Sequence, residues 1–180
     1  QIPYMGRVHQ QTHIERLALT ARLFHLGHID IHNCRVLELG CGDGTNLINQ
    51  AYNLPDSQFV GIDGSEVQIS RGNQMAEESD LKNIELHTMN ILDIDESIGL
   101  FDFIICHGVF SWVPKEGREK ILEICRSQLS PKGIAYVSYN AYPGWKMHGM
   151  IRDMMRFHSN RMDGTENQIP QGRALVQFLS

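Results

Sequence analysis

Val36-Leu37-Glu38-Leu39-Gly40-Cys41-Gly42-Asp43-Gly44 is the stretch on which the reading of this chain turns. Arg35 to Leu39 is a short apolar-rich strand that runs straight into three glycines, and a helix is expected from about Gly44 to Tyr52. Glycines at 40, 42 and 44 let the backbone turn sharply and approach a ligand without side-chain interference. A loop of this kind is also what a tight strand-to-helix turn needs, and it serves nucleotides as well as other ligands.

On either side the hydrophobic period alternates. Phe59 to Asp63, Ile84 to Met89, Asp102 to Cys106 and Ile134 to Tyr139 read as further strands, Asp102 to Cys106 being too apolar for an exposed edge. Ser65-Glu66-Val67-Gln68 opens a helix running towards Glu78, and Lys115 to Leu129 forms another, closed by a turn at Ser130-Pro131-Lys132-Gly133. Strands alternating with helices predict a doubly wound, mostly parallel α/β sheet with right-handed crossovers. Upstream, Thr12-His13-Ile14-Glu15 has the spacing of a capping box. Ile14, Leu17, Ala21 and Phe24 recur at helical spacing, with Gly27 as the expected stop.

After the fifth strand, Met147, Met150, Ile151, Met154, Met155 and His158 line one side of a helix; core packing is preferred to a metal or cofactor role. Asn160 to Gln171 reads as a mobile polar loop. Ala174 to Leu179 begins another apolar face in which the chain stops, which suggests a fragment.

The 180 residues fit one domain, and 42% hydrophobic with 21% charged residues is ordinary for a soluble protein. A net charge of −5 gives no general basic face for nucleic acid. No apolar run is long enough to span a bilayer and no signal-peptide pattern is visible, so a cytoplasmic location is expected. Cys34, Cys41, Cys106 and Cys125 contain no C-x-x-C pair and read as buried reduced thiols. His9/His13 and His28/His32 share four-residue spacing without a supporting motif, and no metal is expected.

The acidic neighbours of the loop discriminate between ligands. Asp63, at the end of the second strand, can accept both hydroxyls of an adenosine ribose, which NAD and S-adenosylmethionine (SAM) share. A dinucleotide, however, would set its pyrophosphate at the helix N-terminus, close to Glu38 and Asp43. Like charges at roughly 4–6 Å cost on the order of a kcal/mol or more even at an effective dielectric near 20. SAM carries no phosphate, and its ammonium and sulfonium are cationic. The third glycine of an NAD loop would fall on Thr45. The charge pattern favours SAM.

At these residues the chain resembles the Rossmann-like SAM-dependent methyltransferases over about residues 30 to 140. The resemblance implies strand order 3-2-1-4-5, with the family's sixth and seventh strands lacking here, since nothing after Asn140 reads as that pair. It places Gly40, Cys41 and Gly42 against the methionine part of SAM with Glu38 bracing the loop, and Asp63 on the ribose. Asn90 stands where an aspartate commonly faces the adenine amine, Ile91 offers its backbone N–H to the ring, and Gly64 replaces a bulky residue usually found against adenine.

A narrower resemblance rests on Gln11-Thr12-His13 with Arg16, on His107-Gly108-Val109-Phe110-Ser111-Trp112-Val113-Pro114, and on Ser138-Tyr139-Asn140-Ala141-Tyr142-Pro143-Gly144-Trp145. These segments look like bacterial methyltransferases that carry a methyltransferase regulatory domain, a group that includes protein-lysine methyltransferases acting on rickettsial outer-membrane proteins. It implies an N-terminal segment, 1–30, that covers the cofactor with Thr12 and Arg16. A core over 31–145 and a helical extension over 146–180 follow.

Methyl transfer from a sulfonium is an in-line displacement whose leaving thioether needs no proton, so alignment supplies most of the acceleration. His107 and Tyr139 are the candidate catalytic residues, His107 also as a cofactor contact; a loop histidine bonded to backbone is the competing reading. Trp112, Tyr139 and Trp145 are candidates for an aromatic acceptor channel, with simple packing as their alternative. Protein lysine is the acceptor the resemblance suggests. A small-molecule acceptor, and a non-catalytic SAM-binding module, are the other readings.

Overall fold

The computed structural model describes residues 6–160 and 164–179. Residues 1–5, the first of the expected N-terminal segment, lie outside them, as do 161–163 of the expected mobile loop and Ser180. The chain divides into two compact units, Gln1–Tyr139 and Asn140–Ser180.

In the first unit, β1 (Arg35–Leu39), β2 (Gln58–Asp63), β3 (Ile84–Thr88), β4 (Phe101–Cys106) and β5 (Leu129–Val137) form one sheet in the order β3-β2-β1-β4-β5. All four pairings are parallel, with Val36 opposite Phe59 on one side and Phe103 on the other. This is the doubly wound parallel sheet expected from the alternating pattern, in the Rossmann-like order that the resemblance implied. Helices α1 (Ile14–Leu23), α2 (Thr45–Asn53), α3 (Glu66–Glu78) and α4 (Lys115–Ser127) cover it.

The period of two along β1 splits its side chains between two cores. Val36 joins Ile14, Leu47, Phe59, Ile69 and Phe103 on the α1–α2–α3 side. Leu37 and Leu39 join Val60, Ile62, Ile104, Ile121 and Ile124 on the α4 side. Each such fully buried side chain contributes roughly 1.5–3 kcal/mol. The same alternation delivers Glu38, only 4% exposed, to the face shared with Val36, just beneath the glycine loop.

Leu86 of β3 fills a hollow made by three glycines. A Cβ would lie 2.7 Å from its side chain at Gly44, 2.5 Å at Gly61 and 2.6 Å at Gly72. Only hydrogen leaves room there, so the loop, β2 and α3 close on one leucine.

Several local expectations are corrected. Thr12 does not cap α1; His13 holds the cap position, and the Thr12 hydroxyl is buried and donates instead to the His9 carbonyl (2.9 Å). The stop comes before Gly27: His25 takes the left-handed conformation (φ 59°) and Leu26 N–H bonds to the Ala21 carbonyl at 2.9 Å, a Schellman-type end. Ser130 to Gly133 is not a turn after α4. It lies within β5, where the register jumps from Phe101–Leu129 to Phe103–Ile134, so the extra residues bulge out of a continuous edge strand.

The second unit is a helix pair, α5 (Gly144–Ser159) and α6 (Thr165–Leu179). Its second helix occupies much of the segment expected to be loop, running from Thr165 through Pro170 without a break. The methionine stripe is not core. Met155 is half-buried and reaches Gly172 of α6, while Met147, Met150, Ile151 and Met154 are exposed. Among the described residues, no helix is long and apolar enough to cross a membrane.

Candidate functional site

Parallel sheets present ligands at the carboxyl ends of their strands, where the order reverses between β1 and β4. A cavity of about 680 Å³ opens at that point. Glu38, Gly40, Cys41, Gly42, Asp43 and Asp63 line it from the β1 and β2 side, and His107 to Val109 with Trp112 from beyond β4.

The loop's shape follows from its glycines. Gly40 has φ 74°, and a Cβ there would run into the side chain of Val109. Gly40 and Cys41 N–H groups donate to the Ile62 carbonyl at 2.7 and 3.1 Å, tying the loop to the end of β2. Asp63 closes the same junction: Oδ2 accepts the Gly42 N–H (2.9 Å) and Oδ1 the Ser65 N–H (2.9 Å). Each oxygen thus keeps acceptor capacity on a carboxylate already fixed in direction.

Asp43 is buried (3% exposed) at the start of α2, where its Oδ1 accepts from Thr45 N–H (3.2 Å) and Thr45 Oγ1 (2.7 Å). A carboxylate therefore already occupies the helix-terminal amide that a pyrophosphate would use. The site is built against a phosphate ligand.

Glu38 stands behind the loop. Its Oε1 accepts from Asn46 Nδ2 at 3.0 Å, while Oε2 has no hydrogen-bond partner among the described residues. Burial lifts its pKa from 4.5 to about 8, partly countered by the Asn46 bond. A buried, half-satisfied carboxyl in a cavity wall suits a cationic ligand group.

His107 follows β4. Burial, then the neighbouring His9, hold its pKa below the ordinary histidine value, so the imidazole is neutral near pH 7. Its Nδ1 is buried without a partner among the described residues, and Nε2 lies 3.4 Å from Gln11 Nε2. The ring sits 4.4 Å from that of His9 and 5.9 Å from that of Tyr136.

Residues 6–12 strap across this cavity, and Gly6, Arg7 and His9 are part of its lining. Gly6 lies so close to Asp43 and Thr45 that no Cβ would fit. Two inward side chains of α2 hold the strap and the start of α1. Asn46 Oδ1 accepts the His9 N–H (3.0 Å), and Gln50 Oε1 accepts the Ile14 N–H (3.0 Å).

Of the residues singled out from the sequence, Glu38, Gly40, Cys41, Gly42, Asp63, His107 and Trp112 are brought together around one cavity. Thr12 lies behind it, buried and bonded to Asn46. Arg16 is exposed on α1 and Gly64 is exposed beyond β2, neither in the lining. Asn90 and Ile91 begin a short 3-10 turn outside the lining, where Asn90 Oδ1 accepts the Leu92 N–H at 3.0 Å. Tyr139 is 69% exposed with its ring 6.4 Å from Phe110. Trp145 belongs to the second unit, where it stacks on His148. Sequence reasoning passed over Arg7, His9, Asn46 and Gln50. The signal available was two polar residues, four apart, on the inner face of α2 beside Leu47 and Ala51.

Comparison with known proteins agrees with this geometry. A family model described as a methyltransferase domain matches residues 31–171. The chain is 46% identical over 179 residues to the uncharacterized protein RP789 of Rickettsia prowazekii, covering 99% of this chain and 32% of that protein. With RP028 of the same organism it shares 41% identity over 180 residues, 72% of that protein. Among solved structures, PKMT2 from Rickettsia typhi in complex with AdoHcy superposes with a TM-score of 0.88 at 42% identity, over 98% of this chain and 34% of that one. The chain thus spans about a third of RP789 and of PKMT2.

Proposed function

The chain belongs to the methyltransferase-domain family, and from that membership we propose that it binds SAM in the cavity at the ends of β1, β2 and β4 and supports methyl transfer to a protein lysine. The single observation that carries the cofactor assignment is the pair of buried carboxyls at the loop. Glu38 offers an unpartnered oxygen to a cation, and Asp43 fills the amide site a phosphate would need.

SAM supplies an electrophilic methyl group on a sulfonium. The protein's part is binding and alignment. Asp63 receives the ribose hydroxyls on a carboxylate held by Gly42 and Ser65. Gly40 to Gly42 present backbone to the methionine part, and Glu38 faces its ammonium. His107, kept neutral, is positioned at the β4 end to take the proton that a lysine ammonium must lose before it attacks. Trp112 borders the same cavity and is the aromatic residue we assign to the acceptor side. The likeness to PKMT2, with the resemblance to protein-lysine methyltransferases in three separate segments, supports lysine as the acceptor class.

Isothermal titration tests the cofactor reading directly. SAM and S-adenosylhomocysteine (SAH) should bind, NAD should not, and Asp63→Ala should remove most of the affinity. NAD binding as tightly as SAH would overturn the assignment. For the acceptor, mass spectrometry after incubating the full-length protein with SAM and candidate proteins should show methylated lysine; methylation confined to small molecules would sink the lysine reading.

A further inference from the structure

The side chain of Asn46 makes three bonds at 3.0 Å, with Thr12 Oγ1 also 3.3 Å from its Oδ1, and they run to two different parts of the site. Its Oδ1 accepts the His9 N–H at 3.0 Å. One Nδ2 hydrogen goes to Thr12 Oγ1 at 3.0 Å and the other to Glu38 Oε1 at 3.0 Å. Thr12 in turn donates to the His9 carbonyl at 2.9 Å, so the backbone of His9 is gripped on both its N–H and its C=O. Asn46 and Thr12 are almost fully buried, at 4% and 0% exposure. The arrangement also fixes the amide's direction. Turned over, its NH₂ would face the His9 N–H, donor against donor, and its carbonyl would face the Glu38 carboxyl.

The strap segment ahead of this grip reaches over the cavity: Gly6, Arg7 and His9 line it, and His9 and Gln11 approach His107 from the far side. Holding His9 therefore holds the strap across the opening. The bond to Glu38 holds the carboxyl that faces the ligand from below. One side chain serves both walls.

We propose that Asn46 is a positioning residue that clasps the N-terminal strap over the bound cofactor while orienting the Glu38 carboxyl, so that the strap's grip and the retention of SAM are coupled through one amide. The inference rests on the SAM-binding reading above. It concerns residence of the ligand rather than the methyl transfer step, because Asn46 is directed at protein groups on all three of its bonds. Hydrogen bonds buried in this way are worth most when every member is satisfied, and truncating one member leaves the others unpaired. The loss should fall mainly on dissociation, since the ligand's own contacts on the loop and Asp63 remain.

The test uses SAH as the probe, with binding followed by stopped-flow fluorescence and strap order by hydrogen–deuterium exchange. Asn46→Ala should raise the SAH dissociation rate at least tenfold with little change in association, and should speed exchange over residues 7–13 in the free protein. Thr12→Val, a shape-matched loss of the hydroxyl, should move both readouts in the same direction and serves if Asn46→Ala folds poorly. Asn49→Ala, exposed on the outer side of α2, should leave both unchanged. Faster exchange in the strap with an unaltered dissociation rate would overturn the proposal, showing that the strap does not retain the ligand. Weaker binding with unaltered strap exchange would overturn it too, by making Asn46 a direct ligand contact. Failure of the unsubstituted protein to bind SAH would sink the cofactor reading itself, and the proposal with it.

Discussion

Replacing Glu38 by glutamine separates two demands that fall on one buried carboxyl. Burial lifts its pKa from 4.5 to about 8, so between those values the folded protein holds a proton that the unfolded chain has released. The sign follows: stability contributed by the protonated group is fully present below the unfolded value, falls as pH rises, and levels off above the folded value. With each pK unit worth about 1.4 kcal/mol, the full loss is of order 5 kcal/mol, with about 3 kcal/mol already incurred at pH 7. Glutamine keeps the acceptor for Asn46 and has nothing to ionise. The variant should therefore match the wild type in stability near pH 4 and exceed it by about 3 kcal/mol at pH 7, roughly 6–12 °C in Tm for a chain of this size. Binding should move the opposite way. A neutral amide cannot neutralise an ammonium, and SAH affinity should fall tenfold or more, while wild-type affinity should rise with pH up to about 8 as the ligand displaces the proton. Urea denaturation and calorimetry across pH 5–9 measure both. A stability difference that stays constant over that range would refute the reasoning, since it would mean that Glu38 is already ionised in the folded protein.

Gly72→Ala should cost roughly 1–3 kcal/mol by overpacking, because its Cβ would lie 2.5 Å from the Asp43 carbonyl oxygen; weaker SAH binding should accompany the lower Tm. His107→Ala should lower kcat for methyl transfer about 10²-fold or more with SAH affinity changed only a few-fold. An equal loss of affinity would make His107 a cofactor contact instead. Burial pushes the Cys34 thiol up to about 11 and Cys106 up to about 12, and raises Cys41 and Cys125 as well. Iodoacetamide at pH 8 should therefore label the native protein slowly and the urea-unfolded protein fast, as read by mass spectrometry; rapid native labelling of Cys41 would show that its thiol opens to solvent.

The strands and the parallel sheet could be read from the chain because each strand's pattern is local, and because the run from Val36 to Gly44 joins a strand, a turn and a helix within one stretch; the order of the strands came from the resemblance those residues carry. Asp63 was equally legible, standing at the end of the next strand. The strap enters the sequence reading only as a segment expected to cover the cofactor. Its fastening depends on bonds from Asn46 and Gln50 to backbone more than 30 residues away, and no local pattern encodes such a partner. The hydroxyl of Thr12 shows the same limit: its spacing to Glu15 mimics a cap, yet burial beside Asn46 offered it a better-satisfied position. The bulge in β5 was hidden for the opposite reason, since Ser130 to Gly133 carry strong turn chemistry that strand pairing with β4 absorbed. The methionine stripe has the period of a core face, and periodicity does not say whether a face is covered.

Leu86 has a consequence for how sequences of this family can diverge. Its side chain stands within 2.7 Å of where Gly44, Gly61 and Gly72 would each carry a Cβ, on three separate elements. No member of this set can grow while the others stay as they are. A relative with alanine at the Gly61 position should carry a smaller residue at the leucine position, whereas Gly44, at φ 71°, and Gly72, whose Cβ would also meet the Asp43 carbonyl oxygen at 2.5 Å, should stay glycine whatever the leucine becomes. The ligand loop is thereby constrained through volume by a side chain that is absent from the cavity lining, and a search for covarying positions would find that constraint before any binding measurement did.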